Sequence, residues 1–193
     1  MAGMSQFPSL DVDPASGRLT QARQVASPNF DARPAGVQPD LIVVHGISLP
    51  PDDFGGPWIE ALFLNQLPWD RHPYFKQIEG LKASSHLLIR RDGELVQFVS
   101  FNDRAWHAGA SNYRGRERCN DFSIGIELEG ADELAYEPAQ YRTLRDAIIA
   151  LCGAYPSLST DRIVGHSDIA PGRKTDPGPA FDWQRIKALL RAT

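Results

Sequence analysis

The chain has 193 residues, 42% of them hydrophobic and 23% charged, the balance of a soluble globular protein with room for one core. A net charge of −4 gives no electrostatic basis for binding nucleic acid or an acidic membrane surface, and no run approaches the ~18 apolar residues of a membrane helix. The first residues, MAGMSQFPSL, lack the basic start and apolar stretch of a secretory signal, so the expected compartment is the cytoplasm.

Cys119 and Cys152 fit no paired metal spacing and read as reduced thiols. Cys152 falls in an apolar helical run, and Cys119 sits among charges, a setting compatible with exposure.

In chain order, residues 1–17 read as a loose tail, with Pro8, Asp11, Asp13, Pro14 and Gly17 opposing regular structure. Residues 18–40 carry Pro28, Pro34, Gly36 and Pro39 and read as a mostly irregular lead-in to a single domain spanning 18–193. Leu41-Ile42-Val43-Val44 is a continuous apolar run ending at His45, the pattern of a strand buried on both faces. Residues 46–57, GISLPPDDFGGP, form a long loop before a short helix from Trp58 to Leu64, and 65–83 reads as irregular.

Runs at 86–90 and 95–99 flank Asp92-Gly93, a hairpin for which a type I′ turn is expected. Residues 122–129 alternate, with Phe122, Ile124, Ile126 and Leu128 on one face and Ser123, Gly125, Glu127 and Glu129 on the other. Over 138–152 the period turns helical: Tyr141, Leu144, Ile148 and Leu151 form one stripe behind Pro138. Ile163-Val164 is a short strand running into Gly165-His166, and the prolines and glycines that follow hold a loop to Pro179. Asp182 is placed to cap a last helix, 183–191, whose Trp183, Ile186, Leu189 and Leu190 face the core. The expected fold class is α/β, a single domain with one central mixed sheet flanked by helices.

His45 and His166 each end a short apolar strand, and His107 follows Trp106 in a loop. A lone strand-end histidine is most often structural. Two of them, beside a loop offering Asp168 and Asp176, point to a metal at the strand ends, because imidazoles with one carboxylate are the ligands of hydrolytic zinc, which keeps a position for water. Such a site also needs a proton carrier and a cation for the developing oxyanion. Glu127 or Glu129 supplies the first, and Arg173 or Lys174 the second. Spacing does not choose within either pair, nor between Asp168 and Asp176, and it leaves His107, His72 and His86 open as ligands. No phosphate loop, dinucleotide fingerprint or nucleophile elbow is present.

Four stretches, HGISLPP, RAWHAG, GRERCNDFSIGIELEG and GHSDIAPGRKTDPGPAFDW, resemble in sequence and order the AmpD-type N-acetylmuramyl-L-alanine amidases, cytoplasmic zinc enzymes of peptidoglycan recycling. The resemblance covers about residues 20–190. It implies one Zn2+ held by His45, His166 and Asp176, with Glu127 as the acid/base and Lys174 as the cation at the oxyanion. The implied substrate is an anhydro-muropeptide, 1,6-anhydro-N-acetylmuramic acid carrying a stem peptide, cut at the lactyl–L-alanine amide. Arg118 and Lys82 match positions that contact a stem carboxylate, Ala105 and Trp106 match positions lining the peptide cleft, and His107 lies beside the cleft, off the metal. Asp168 and Glu129 are then structural or support the ligands from behind.

Two departures stand out. Lys82 occupies a position where arginine is expected, replacing a bidentate fork by a point charge. Gly46 occupies one where asparagine is common, removing an amide. No nucleic acid, membrane or obligate protein partner is expected from the charge and the lack of a long apolar run. An alternative of another class is a non-catalytic muropeptide-binding module of the same fold. A missing ligand would favour it, and His45, His166, Asp176, Glu127 and Lys174 are all present.

Overall fold

In the computed structural model, which describes residues 10–192, the elements run in chain order as follows. β1 (Val12–Asp13), β2 (Arg18–Leu19), β3 (Arg23–Gln24), β4 (Phe30–Ala32) and β5 (Leu41–Ile47) lead to α1 (Trp58–Phe63) and α2 (Pro73–Gln77). Then come β6 (Leu87–Ile89), β7 (Leu95–Gln97), β8 (Asp103–Ala105), β9 (Asn112–Tyr113), β10 (Arg116–Glu117) and β11 (Ser123–Glu129). α3 (Pro138–Ala154), β12 (Ile163–Gly165), α4 (His166–Ile169) and α5 (Trp183–Arg191) close the chain.

The central sheet has six strands in the order β12-β5-β11-β6-β7-β3. Four of them, β12, β5, β11 and β6, are mutually parallel, and β7 returns antiparallel to β6. Parallel strands need both faces covered, and three apolar clusters do this, one of them packing Leu41 and Val43 of β5 against Ala108, Phe122 and Ile169. On one face, Ile42, Val44, Ile124, Ile126 and Leu128 meet Tyr141, Leu144, Ile148 and Leu151 of α3 and Ile186 of α5. On the other, Leu88 and Val96 meet Ile59, Leu62 and Phe63 of α1 and Phe75 of α2. Each such side chain contributes roughly 1.5–3 kcal/mol by leaving water. Pro138 at the first turn and Gln140 Oε1, which accepts from Glu137 N at 3.0 Å, start α3, and the Asp182 carboxylate accepts from Arg185 N at 2.9 Å to start α5.

Several expectations change. The tail reading of residues 1–17 does not hold from Leu10 onward. Val12-Asp13 pairs with Arg18-Leu19, the Asp13 carboxylate accepts from Ala15 N and Ser16 N to close the turn, and Leu10 and Val12 pack on the main core. Residues 1–9 lie outside the described residues. The lead-in at 18–40 contributes the sheet's edge strand β3, which pairs with β7, and 65–83 holds a 3-10 turn at Trp69–Arg71 and then α2, whose first turn His72 caps through Nδ1. The hairpin turn is not type I′. Gly93 alone takes positive φ there, 91°, Gly93 N donates to Arg90 O, and Arg90 N donates to Glu94 O, the type I turn plus bulge of a three-residue loop. Cys119 is fully buried, and Cys152 is only partly so.

Candidate metal centre and cleft

β5 and β11 pair with His45 opposite Glu127. β12 pairs with β5 so that Gly165 faces Val44, which brings the next residue, His166, beside His45. These strands are parallel, so their C-terminal ends gather in the place where open α/β sheets take ligands. The loop after α4 brings Asp176 back to the same point, its carbonyl accepting from Ser167 N at 3.0 Å. His45 Nδ1 lies 3.0 Å from His166 Nδ1 and 3.2 Å from Asp176 Oδ2, and His166 Nδ1 lies 3.1 Å from that oxygen.

The far nitrogens of the two imidazoles decide what these atoms are. His166 Nε2 sits 3.1 Å from the Ala108 carbonyl and so carries the proton. The Ser123 hydroxyl donates to the Cys119 carbonyl at 2.6 Å, which leaves its oxygen to accept from His107 Nε2 at 3.1 Å. His107 Nδ1 is then bare and accepts from His45 Nε2 at 2.9 Å. Both imidazoles therefore turn an unprotonated Nδ1 toward the Asp176 carboxylate. Burial favours these neutral forms, holding His45 and His107 below the usual histidine range.

Three lone-pair-bearing atoms thus face one another with no proton between them, and a cation relieves the contact. Among the described residues these three form a group able to hold a metal ion. Two imidazole nitrogens and a carboxylate oxygen suit zinc, whose bonds of about 2.0–2.2 Å place tetrahedral neighbours about 3.3 Å apart. Asp168 is occupied elsewhere, its Oδ2 accepting from Gly165 N at 2.7 Å. His86 is a buried strand-edge residue, with Nδ1 accepting from Gly125 N and Nε2 on Asp103 O.

The triad opens into a cleft of about 650 Å3 lined by Glu127, Lys174 and Arg173 on the polar side and by Leu49, Leu62, Phe63, Ile78 and Leu81 on the apolar side. Glu127 is 8% exposed, and among the described residues its carboxylate has no hydrogen bond or ion pair. Burial pushes it well above the ordinary carboxylate range, the Asp176 charge adds to this, and Lys174 opposes it. Glu129, on the same face of β11, is instead consumed by structure: it accepts from Gly55 N, Arg91 N and Arg90 Nη1. The cations separate in the same way. Arg173 Nη2 donates at 2.6 Å to both the Ala108 and Ala110 carbonyls, whereas the Lys174 ammonium has no partner among the described residues and faces the cleft.

A family model described as N-acetylmuramoyl-L-alanine amidase matches residues 35–179. The chain belongs to this amidase family.

The amidase is 59% identical over 177 residues to the 1,6-anhydro-N-acetylmuramyl-L-alanine amidase AmpD of Salmonella typhimurium strain SL1344, covering 92% of this chain and 94% of the relative. A crystal structure of a selenomethionine AmpD derivative superposes with a TM-score of 0.89 at 57% identity, over 93% of this chain and 98% of that one. More distantly, AmiD from E. coli, solved with anhydro-N-acetylmuramic acid-L-Ala-D-gamma-Glu-L-Lys, gives a TM-score of 0.58 at 27% identity, over 94% of this chain and 65% of that one.

The fold of the amidase brings His45, His107, Glu127, His166, Lys174 and Asp176 to one cleft. The other sequence-expected residues do not line it. Lys82 is exposed between Leu81 and Ala83, which line the cleft. Arg118 is 79% exposed, pairs with Asp121 Oδ2 at 3.2 Å and borders a recess of about 450 Å3 that shares no lining residue with the cleft. Trp106 is half-buried next to the cleft, its backbone N–H donating to the Asn29 carbonyl. Ala105 is fully buried in the apolar layer under α1.

Sequence reading passed over Arg33, Asn120 and Tyr136. Asn120 Oδ1 accepts from His107 N and Ala108 N, and the Tyr136 hydroxyl donates to the Pro177 carbonyl next to Asp176. No local pattern marks any of the three. Among the described residues, no helix is long and apolar enough to cross a membrane.

Proposed function

We propose that this N-acetylmuramoyl-L-alanine amidase hydrolyses the amide between the lactyl group of 1,6-anhydro-N-acetylmuramic acid and the L-alanine of its stem peptide, in the cytoplasm, with one zinc ion held by His45, His166 and Asp176. The observation that carries the reading is the unpaired, buried Glu127 carboxylate set in register with His45 at the edge of the cleft. The curated AmpD relative carries this substrate in its name, and the related AmiD was solved with an anhydro-muropeptide. A cleft of about 650 Å3 is within the usual size for a ligand of this kind.

When bound, zinc lowers the pKa of water to about 7 and polarises a carbonyl. Glu127 takes the proton of the attacking water and later delivers it to the departing alanine nitrogen, the work of a carboxylate whose environment favours holding a proton. Lys174 presents a positive charge where the amide oxygen becomes an oxyanion. The apolar wall of Leu49, Leu62, Phe63, Ile78 and Leu81 excludes water from one side of the reacting bond. Lys82, exposed next to cleft-lining Leu81 and Ala83, and Arg118, exposed at a separate recess, are charged to meet stem carboxylates, and Trp106 supports the peptide, whereas Ala105, fully buried in the core, has no surface to offer it. The complete set of ligands, acid/base and cation supports catalysis over binding alone.

The test is product identity. Mass spectrometry after incubation with a purified anhydro-muropeptide is expected to show the anhydro-sugar with a free lactyl carboxylate and a stem peptide with a free alanine amine. Cleavage at another bond, or none by folded, zinc-loaded protein, contradicts the reading.

A further inference from the structure

His107-Ala108 touches both candidate histidine ligands from behind. His107 Nδ1 receives the His45 Nε2–H at 2.9 Å, and the carbonyl of the next residue, Ala108, receives the His166 Nε2–H at 3.1 Å. The dipeptide is itself held. Asn120 Oδ1 accepts from both backbone N–H groups, at 3.1 Å from His107 and 2.8 Å from Ala108. The His107 ring is fixed at its other nitrogen by Ser123 Oγ, whose own proton goes to Cys119 O. Room for the ring comes from Gly125 in β11, because a Cβ there would strike the imidazole atoms of His107.

Resting on the zinc reading above, we infer that His107 is a positioning residue for the metal centre and not a substrate contact. Both of its nitrogens are committed, one to His45 and one to Ser123, so it has no free polar atom for a ligand in the cleft. Its task is to hold His45 in the tautomer that leaves Nδ1 bare and to fix the plane of that ring. The Ser123 hydroxyl sets the tautomer of His107 and so, one step removed, that of His45. Outer partners of this kind govern ligand orientation and basicity, and losing one typically costs ten- to a hundredfold in metal affinity.

His107→Asn and His107→Leu are matched in shape, and only Asn keeps an acceptor at the Nδ1 position. Chelator competition on the full chain is expected to give zinc affinity in the order wild type, Asn, Leu, with Leu about ten- to a hundredfold weaker than wild type. Equal affinity of Asn and Leu, or wild-type affinity of Leu, overturns the inference. Should both variants fail to fold, Ser123→Ala tests the same relay. In isotope-labelled, metal-free protein the His45 ring is expected as the Nε2–H tautomer in wild type and as a mixture of tautomers in Ser123→Ala. An unchanged tautomer overturns the inference. Wild-type protein that binds no zinc would instead defeat the underlying reading, so the two failures are distinguishable.

Discussion

Glu127 and His45 stand directly opposite each other on the parallel strands β11 and β5. The pairing puts a carboxylate on the neighbouring strand, in register with a candidate metal ligand. Because the Glu127 carboxylate makes no hydrogen bond or ion pair among the described residues, removing it leaves no partner unsatisfied. Glu127→Ala is therefore expected to keep wild-type zinc content and thermal stability while lowering kcat by roughly a hundred- to ten-thousandfold. Metal analysis beside steady-state kinetics checks this; near-normal turnover would remove Glu127 from the mechanism.

Gly46 follows His45, and the Tyr136 hydroxyl occupies the space where its side chain would begin. That hydroxyl donates to Pro177 O at 2.9 Å, one residue beyond Asp176. Any Cβ at 46 must push the phenol off this carbonyl. Gly46→Ala is expected to lower stability by about 1–3 kcal/mol, and by clearly less in a Tyr136→Phe background, where the colliding oxygen is gone. A double-mutant cycle by urea unfolding reads the coupling; simple additivity would contradict it. The asparagine expected at this position from the sequence resemblance meets the same obstacle here.

His86 is completely buried, with Nδ1 accepting from Gly125 N and Arg33 Nη2 3.3 Å from Nε2. Burial first, and the Arg33 charge second, bring its pKa from 6.5 down to about 3. The folded value lies below the unfolded one, so the neutral ring's stability is fully present above pH 6.5 and is lost as pH falls from 6.5 toward 3. The expected slope from this one group is about 1.4 kcal/mol per pH unit. An NMR titration should find the His86 ring neutral at pH 5; a midpoint near its ordinary value would refute the assignment.

Arg33 ties the Asn120–Ser123 segment to the body of the sheet. Its guanidinium donates to the carbonyls of Phe101, Asn120, Asp121 and Ser123 at 2.9–3.3 Å. Arg33→Met strips four carbonyls of a charged donor and is expected to cost roughly 3–5 kcal/mol, read as a lower urea midpoint. A change under 1 kcal/mol, as is usual for a solvated surface arginine, would contradict it.

The parts of the fold that repeat were legible in the sequence. β5 and β11 announce themselves by an apolar run and by strict alternation, and α3 by its stripe from Tyr141 to Leu151. What was hidden lacks period. β1 to β4 are two or three residues long, and α2 begins at a proline in a stretch rich in breakers. The site was legible as chemistry before it was legible as geometry. Spacing offered Asp168 or Asp176, Glu127 or Glu129, Arg173 or Lys174. The fold separates each pair by what else the side chain is bonded to: Asp168 holds Gly165 N, Glu129 holds Gly55 N and Arg90, Arg173 holds two carbonyls. Asn120 and Arg33 act through backbone groups distant in sequence, and no local window reveals such partners.

The central claim is that amide hydrolysis depends on zinc held by His45, His166 and Asp176. The most direct test follows stem-peptide release from an anhydro-muropeptide by the enzyme as isolated, after chelation, and after zinc is restored, with Asp176→Ala in parallel. Activity is expected to be lost on chelation and recovered with zinc, and the Asp176→Ala protein neither to retain zinc nor to regain activity at the same metal concentration. Undiminished release by the fully stripped enzyme, or an Asp176→Ala protein with normal zinc content, would contradict the claim.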